Sequence, residues 1–381
     1  MRVYLDYGGL APVDPRIIAF MRPFLEGGVG NPAAPHSFGI EARAALDGAR
    51  AKIARLIGAS SPSGVIFTSC ATEANNLAVR GTAHEAPGCH LVTSAIEHVS
   101  VLDTCRDLER RGHPVSYVGV DGEGRIDPAS VGDAIRPDTR LVSLIAASGE
   151  IGTIQAIRDV ARETRRRGVL LHVDGVGAVG RIPLLVDDWG IDLLSLSGND
   201  MYGPPGAGAL WVRPGVRIAP QILGGGQEGG HRAGTENLPA IAGMGVAADL
   251  LRAEGSAEAV RLAALRDRLL LGALERVPGT RITGARSGRR LPHHASLIVA
   301  GVKADALLLE LDVQGVAAST GSPWARLTGE PSHVLRAIGC DGRAAEGALC
   351  LSLGRWTTSD EIDYVLDVLP STVDRLRRRA P

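Results

Sequence analysis

The sequence predicts an α/β protein with a mostly parallel sheet covered by helices on both faces, together with a smaller α+β domain. Short apolar runs rich in β-branched residues alternate with charged, helix-like stretches between residues 63 and 205, the pattern of successive strand-helix-strand units. With 381 residues and 45 % hydrophobic content, the chain can form a large packed core. The predicted strands cover residues 64–68, 90–94, 141–146, 169–173 and 193–197.

Helices are predicted where apolar residues recur at three- and four-residue spacing. This spacing occurs over 41–56 and 157–167. A run from 237 to 277, rich in Ala, Leu, Arg and Glu, predicts one or two long helices that end at Pro278 and Gly279. The remaining pattern predicts elements over 295–299 (strand), 304–312 (helix) and 360–379 (helix). We expect a large α/β domain over 15–258 and a small α+β domain formed by 1–14 and 259–381.

Charge and cysteine content exclude several classes of protein. Lys and Arg number 41 and Asp and Glu number 42, so the net charge of −1 gives no basic field for nucleic acid or an anionic membrane. The five cysteines form no C-x-x-C pair and no cluster with metal-ligand spacing, so we expect buried thiols in a reducing compartment. No apolar run is long enough for a membrane helix or signal peptide, which predicts a cytoplasmic protein.

Polar residues follow the predicted strands, at the sheet edge where open α/β sheets bind ligands. The turn after the first strand leads through Thr72 into a helix and could hold a phosphate, although taken alone this motif favours an ordinary helix cap at Thr72. The glycine-rich loop that begins at Gly224 is a further segment whose backbone could bind an anion. A lone histidine or aspartate at a strand end is more often structural than catalytic. The other candidates at these edges are His98, Asp174, Asn199, Asp200, Arg232 and Thr235.

A series of short motifs occurs in order along nearly the whole chain. They include Tyr4-Leu5-Asp6-Tyr7, Gly30-Asn31-Pro32, Ser94-Ala95-Ile96-Glu97-His98, Met201-Tyr202-Gly203-Pro204, Gly234-Thr235-Glu236-Asn237 and Leu351-Ser352-Leu353-Gly354-Arg355. The series resembles the cysteine desulfurases of the class V aminotransferase group, fold-type I enzymes that use pyridoxal phosphate. This resemblance implies a mostly parallel sheet of the seven-stranded type and a homodimer with active sites at the subunit interface.

The resemblance also implies which residues bind the cofactor. His98 would stack on the pyridine ring, and Asp174 would pair with the ring nitrogen and make the ring an electron sink. The phosphate site would comprise Ala71, Thr72, Ser197 and, from the neighbouring subunit, Thr235.

The sequence departs from the family pattern at the reacting positions. Asp200 stands where the family has the lysine that bonds the cofactor, and a carboxylate cannot form an imine. Trp324 stands where the sulfur-accepting cysteine falls, and Cys350 replaces the arginine that grips the substrate carboxylate. We expect the substrate pocket and its lid to include Asn199, Arg232, Trp324, Arg326 and Cys350.

Three interpretations of this altered site remain open. The first is a repurposed enzyme in a specialised biosynthetic pathway, in which Asp200, Asp174 and His98 perform acid-base chemistry on a small molecule without pyridoxal phosphate. The second is a pseudoenzyme that binds a desulfurase or a sulfur-relay partner. The third is a protein that binds pyridoxal phosphate or its amine form without a covalent bond.

The expected ligands follow from these interpretations. We expect no covalently bound cofactor, and pyridoxal phosphate only in noncovalent form. We expect no metal, because no ligand spacing supports one. The expected partners are a small molecule and a second copy of the chain. Ordinary cysteine desulfurase activity is not expected.

Overall fold

Seven strands form the central sheet in a computed structural model of the chain, which describes residues 1–27, 29–286, 288–322, 330–340 and 342–379. They are β2 (Val65–Thr68), β3 (His90–Ser94), β4 (Val115–Val118), β5 (Thr139–Ile145), β6 (Leu170–Asp174), β7 (Leu193–Ser197) and β8 (Gly208–Val212). The order across the sheet is β2-β8-β7-β6-β5-β3-β4, and only β8 runs antiparallel to its neighbours. The predicted mostly parallel sheet is therefore confirmed, with β4 and β8 as strands that the sequence pattern did not reveal.

Helices pack around this sheet and around a smaller one. They are α1 (Pro15–Leu25), α2 (Ser37–Leu56), α3 (Ala71–His84), α4 (Val99–Arg110), α5 (Pro128–Ala134), α6 (Ile157–Arg166), α7 (Val186–Trp189), α8 (Leu238–Arg276), α9 (Ala304–Val313), α10 (His333–Ala337), α11 (Gly342–Ala345) and α12 (Ser359–Arg379). The run predicted as one or two helices is the single helix α8, which begins after the capping side chain of Asn237. Among the described residues, no helix is long and apolar enough to span a membrane.

The remaining strands belong to a second region with its own core. They are β1 (Val3–Tyr4), β9 (Thr280–Ile282), β10 (His294–Val299), β11 (Val316–Ala317) and β12 (Ala348–Ser352). The antiparallel sheet β12-β10-β9 packs with the second half of α8, where Leu262 and Leu269 are fully buried. The first half of α8 instead contributes Met244 and Leu251 to the core under the large sheet. The domain boundary expected after residue 258 falls inside this helix and stays a prediction.

Two local expectations are wrong at the entrance to α3. The residue that precedes this helix is Cys70, so Thr72 lies in the first turn and is not the cap. Cys70 is also exposed, which contradicts the expectation that all five thiols are buried. The reason is its position: it leaves the end of β2 at the open edge of the sheet, whereas the other four cysteines are buried.

Candidate functional site

A cavity of about 320 Å³ lies at the carboxyl edge of the large sheet. Asp174 ends β6, Ser197 ends β7, and α3 and α4 begin at the same edge. Because the ends of parallel strands meet there, residues far apart in sequence come together. The predicted site residues that line this cavity are Ala71, Thr72, His98, Asp174, Ser197, Asn199 and Asp200.

Asp174 is buried and hydrogen-bonded at both of its oxygens. The Asn75 amide donates to Oδ2 at 2.9 Å, and the backbone N–H of Val176 donates to Oδ1 at 3.1 Å. Asn75 also donates to the Ser100 hydroxyl at 2.9 Å. These contacts offset part of the cost of burying the Asp174 carboxyl. Sequence reasoning missed Asn75; the available signal was an asparagine at an otherwise apolar position of an amphipathic helix.

His98 caps α4 and faces the cavity. The backbone N–H of Ser100 donates to Nδ1 of His98 at 3.1 Å. Since Nδ1 accepts this hydrogen bond, the neutral ring carries its proton on Nε2. His98 can therefore offer an N–H donor to a ligand in the cavity.

Asp200 lies on a short 3₁₀ turn directly after β7. The Asn199 amide donates to Oδ2 of Asp200 at 3.0 Å, and the Ser197 hydroxyl donates to the Asn199 side-chain oxygen. Burial raises the pKa of Asp200 to about 7; the negative charge of Asp174 adds to this shift, while Ser197 and Arg181 oppose it. A carboxyl group with a pKa near neutrality can both donate and accept a proton.

A buried ion network that the sequence did not reveal supports this turn. Glu258 on α8 accepts from Arg181, from the Tyr202 hydroxyl at 2.6 Å and from Arg355 at 2.9 Å. Arg181 and Arg355 also lie over the Tyr202 ring, 4.5 and 4.7 Å from its centroid. Arg181 lines the cavity, so the network fixes one cation of its wall.

Two adjacent histidines, His293 and His294, form another part of the wall. Burial lowers the pKa of His294 to about 3 and lowers the pKa of His293 well below its ordinary value, so both rings are neutral at physiological pH. Nε2 of His294 contacts the Gly149 carbonyl at 2.8 Å and Sγ of Cys350 at 3.3 Å. Sequence reasoning did not single out either histidine.

Several expected pocket residues lie elsewhere. Cys350 is buried in β12 behind His294 and does not line the cavity, because that strand pairs with β10 and turns the thiol away. Arg232 is held by Glu73, with 2.9 Å between Nε and Oε1, and also stays outside. Thr235, expected to act on a neighbouring subunit, does not line this chain's cavity. Trp324 and Arg326 lie outside the described residues.

The titration of Asp200 predicts a measurable pH dependence of stability. Its folded pKa of about 7 lies above the ordinary 3.8, so folding favours the protonated form, and this carboxyl destabilises the fold as pH rises through that interval. We expect Asp200→Asn to raise the free energy of unfolding by at least about 1 kcal/mol more at pH 8 than at pH 5. Urea unfolding at the two pH values measures this difference.

The matched control for this comparison is Asp188→Asn, at an exposed position on α7. Its effect should be the same at both pH values. Burial also raises the pKa of Glu97 to about 8 and that of Glu150 to about 7. Because these two groups also contribute to the pH dependence of the wild type, the test compares each variant with the wild type at the same pH. An Asp200→Asn effect independent of pH would contradict the assigned titration.

Comparisons with known proteins point to one family. The family described as Aminotransferase class-V matches residues 3–365. The chain is 42 % identical to "Cysteine desulfurase IscS" of Dictyoglomus turgidum, with 100 % of this chain and 96 % of the relative covered. It is also 42 % identical to "Cysteine desulfurase IscS 1" of Archaeoglobus fulgidus, with 99 % and 98 % covered.

Comparisons with solved structures point to the same family. A structure titled "NIFS-LIKE PROTEIN" superposes with a TM-score of 0.92 at 36 % identity, covering 99 % of this chain and 100 % of the other. One titled "SspA in complex with cysteine" has a TM-score of 0.83 at 33 % identity, covering 93 % and 100 %. The expected fold-type I architecture is thus confirmed.

These matches contradict one expectation. We expected no covalently bound cofactor, whereas the matched family and its cysteine desulfurases hold pyridoxal phosphate covalently. The described cavity fits the phosphate and ring of that cofactor: the side chain of Cys70 does not cap α3, leaving its first turn open to an anion, and Asp174 and His98 lie beside it. Asp200 lines the cavity, whereas the chain's two lysines, Lys52 and Lys303, do not.

Proposed function

The chain belongs to the class V aminotransferase family as a cysteine desulfurase-like protein, and from this premise we propose that it is a repurposed enzyme. In this proposal it does not release sulfur from cysteine, and it performs acid-base chemistry on a small molecule in a specialised biosynthetic pathway. The observation that carries the proposal is a partly buried carboxyl group, Asp200, with a pKa of about 7 in the same cavity as Asp174 and His98.

The order of the family motifs along the sequence supports the loss of the reacting residues that this proposal requires. In the family pattern, Asp200 stands at the position of the cofactor lysine, and Trp324 stands at the position of the sulfur-accepting cysteine. Neither side chain can perform the chemistry of the residue it replaces, because a carboxylate does not condense with an aldehyde and an indole does not accept sulfur. Bound pyridoxal phosphate would supply an electron sink, and the roles below belong to the chain's own residues.

Each cavity residue has a distinct role in the proposed chemistry. Asp200 donates or accepts the transferred proton, because its pKa of about 7 leaves both forms populated at neutral pH. Asp174, fixed at both oxygens by Asn75 and Val176, is a stationary acceptor that orients the ligand. His98 donates from Nε2. Arg181 offsets the negative charge that forms when Asp200 releases its proton.

Proton exchange with solvent tests this proposal without knowledge of the substrate. The protein is incubated in deuterium oxide with a small-molecule extract of the source cells, and mass spectrometry records which compounds gain deuterium at carbon or change mass. We expect at least one such compound with the wild type. Asp200→Asn should slow its conversion about 100-fold or more, the range typical of a lost general acid or base.

The control variant is again Asp188→Asn, which should convert the compound at the wild-type rate. Conversion by Asp200→Asn at the wild-type rate, or no conversion by any variant, would overturn the proposal and favour the pseudoenzyme that binds a desulfurase or a sulfur-relay partner. The homodimer, the reach of Thr235 into a neighbouring site and the cytoplasmic location stay predictions.

A further inference from the structure

An ion pair between Arg232 and Glu73 lies beside the first turn of α3, where the cavity fits the phosphate of the family's cofactor. We infer that Arg232 is a positioning residue for this phosphate: it stays outside the cavity and offsets the charge of Glu73, so that the turn can accept an anion. The inference goes beyond the proposed function and does not depend on it, because it concerns the phosphate end of the cavity and not the acid-base chemistry of Asp200.

Glu73 shapes the turn that would hold the phosphate. Its Oε2 accepts from the backbone N–H of Ser69 at 2.8 Å and from the Ser69 hydroxyl at 2.5 Å. The residues between Ser69 and Glu73, which are Cys70, Ala71 and Thr72, all line the cavity. The carboxylate therefore fixes the turn, but it also places a negative charge where the positive end of the helix dipole would attract an anion.

Arg232 offsets this charge from outside the cavity. Its Nε lies 2.9 Å from Oε1 of Glu73 and its Nη2 lies 3.4 Å from Oε2, so the guanidinium contacts both carboxylate oxygens. The side chains of Arg232 and Glu73 are 21 % and 18 % exposed, so solvent screens their attraction only in part. Burial opposes the ionisation of Glu73, but hydrogen bonds from Arg232 and Ser69 prevail and hold its pKa below the ordinary value. Glu73 is therefore charged at neutral pH, and its charge is paired.

The glycine-rich loop that precedes Arg232 keeps a second anchor when this arginine is changed. Glu228 of the loop binds Arg50 through both carboxylate oxygens, at 2.8 Å each, and accepts the backbone N–H of Phe67 at 2.7 Å. The Glu228 side chain is only 2 % exposed. Loss of the Arg232 guanidinium should therefore act through the uncompensated charge of Glu73 and not through release of the loop.

Pyridoxamine and pyridoxamine 5′-phosphate test the inference, because they differ by the phosphate and neither carries an aldehyde. The full chain is first dialysed against hydroxylamine, which removes pyridoxal phosphate bound through an imine, and isothermal titration calorimetry then gives both dissociation constants. The wild type should bind the phosphate ester at least about tenfold more tightly than pyridoxamine. Arg232→Gln should reduce this ratio at least about fivefold, through repulsion between the Glu73 carboxylate and the phosphate, with the affinity for pyridoxamine unchanged.

Glu73→Gln separates the effect of charge from the effect of loop position. The double variant Arg232→Gln/Glu73→Gln should regain the wild-type ratio, because it removes the uncompensated charge without restoring the ion pair. Glu73→Gln alone should keep or raise the ratio. The matched control is Arg162→Gln, which breaks an exposed ion pair with Asp159 on α6 and should leave the ratio unchanged.

Three results would each overturn the inference. They are equal binding of the two probes by the wild type, an unchanged ratio in Arg232→Gln, and a double variant that binds the phosphate ester as weakly as Arg232→Gln. If Arg232→Gln lacks a wild-type melting curve, Glu73→Gln alone decides, and a ratio below that of the wild type contradicts the inference. These measurements do not involve Asp200, so their failure leaves the proposed chemistry intact, and an absence of deuterium incorporation leaves the role of Arg232 intact.

Discussion

Glu258→Gln should lower the free energy of unfolding by about 3–5 kcal/mol. The substitution keeps the size of the side chain but removes the charge that Arg181 and Arg355 share. The side chains of these arginines are 5 % and 11 % exposed, so water cannot replace the lost carboxylate. The Tyr202 hydroxyl loses its charged acceptor at the same time. Equilibrium unfolding in urea measures the effect.

Glu254→Gln is the matched control, because Glu254 lies one helical turn earlier on α8 and also contacts Arg355. Its side chain is 41 % exposed, so its ion pairs with Arg16 and Arg355 are screened by solvent. We expect it to cost less than about 1 kcal/mol. Equal costs for the two variants would contradict the role given to the buried network.

The predictable part of the fold is the part that local patterns encode. Residues of β3 and β7 were predicted with the bounds that the structure has, because a strand buried on both faces is a short continuous apolar run. β4 was missed because Val115–Val118 is only partly buried and lacks such a run. β8 begins with a glycine and follows a loop rich in glycine and proline, which masks its strand signal.

The site residues also divide into those that local sequence patterns predict and those that they do not. Asp174, Ser197 and Asp200 could be predicted because each occurs at or just after the end of a recognisable strand, and the topology of parallel sheets brings such ends together. Glu258 could not, because its contact with Arg181 joins residues 77 positions apart and appears only once α8 is packed. Arg232 was predicted to line the pocket because it follows the glycine-rich loop. In the structure its ion pair with Glu73 holds it outside the pocket.

Sulfide release from L-cysteine is the measurement that tests the central claim most directly. The assay contains the full chain, added pyridoxal phosphate and a thiol reductant, with a cysteine desulfurase of the family measured beside it. We predict no sulfide above the protein-free control, because under the proposed function Asp200 and Trp324 replace the two residues that react in the family. Asp200→Lys alone should also release none, since it restores one position and not the other. Sulfide release by the unmodified chain at a rate comparable with that of the reference enzyme would contradict the account.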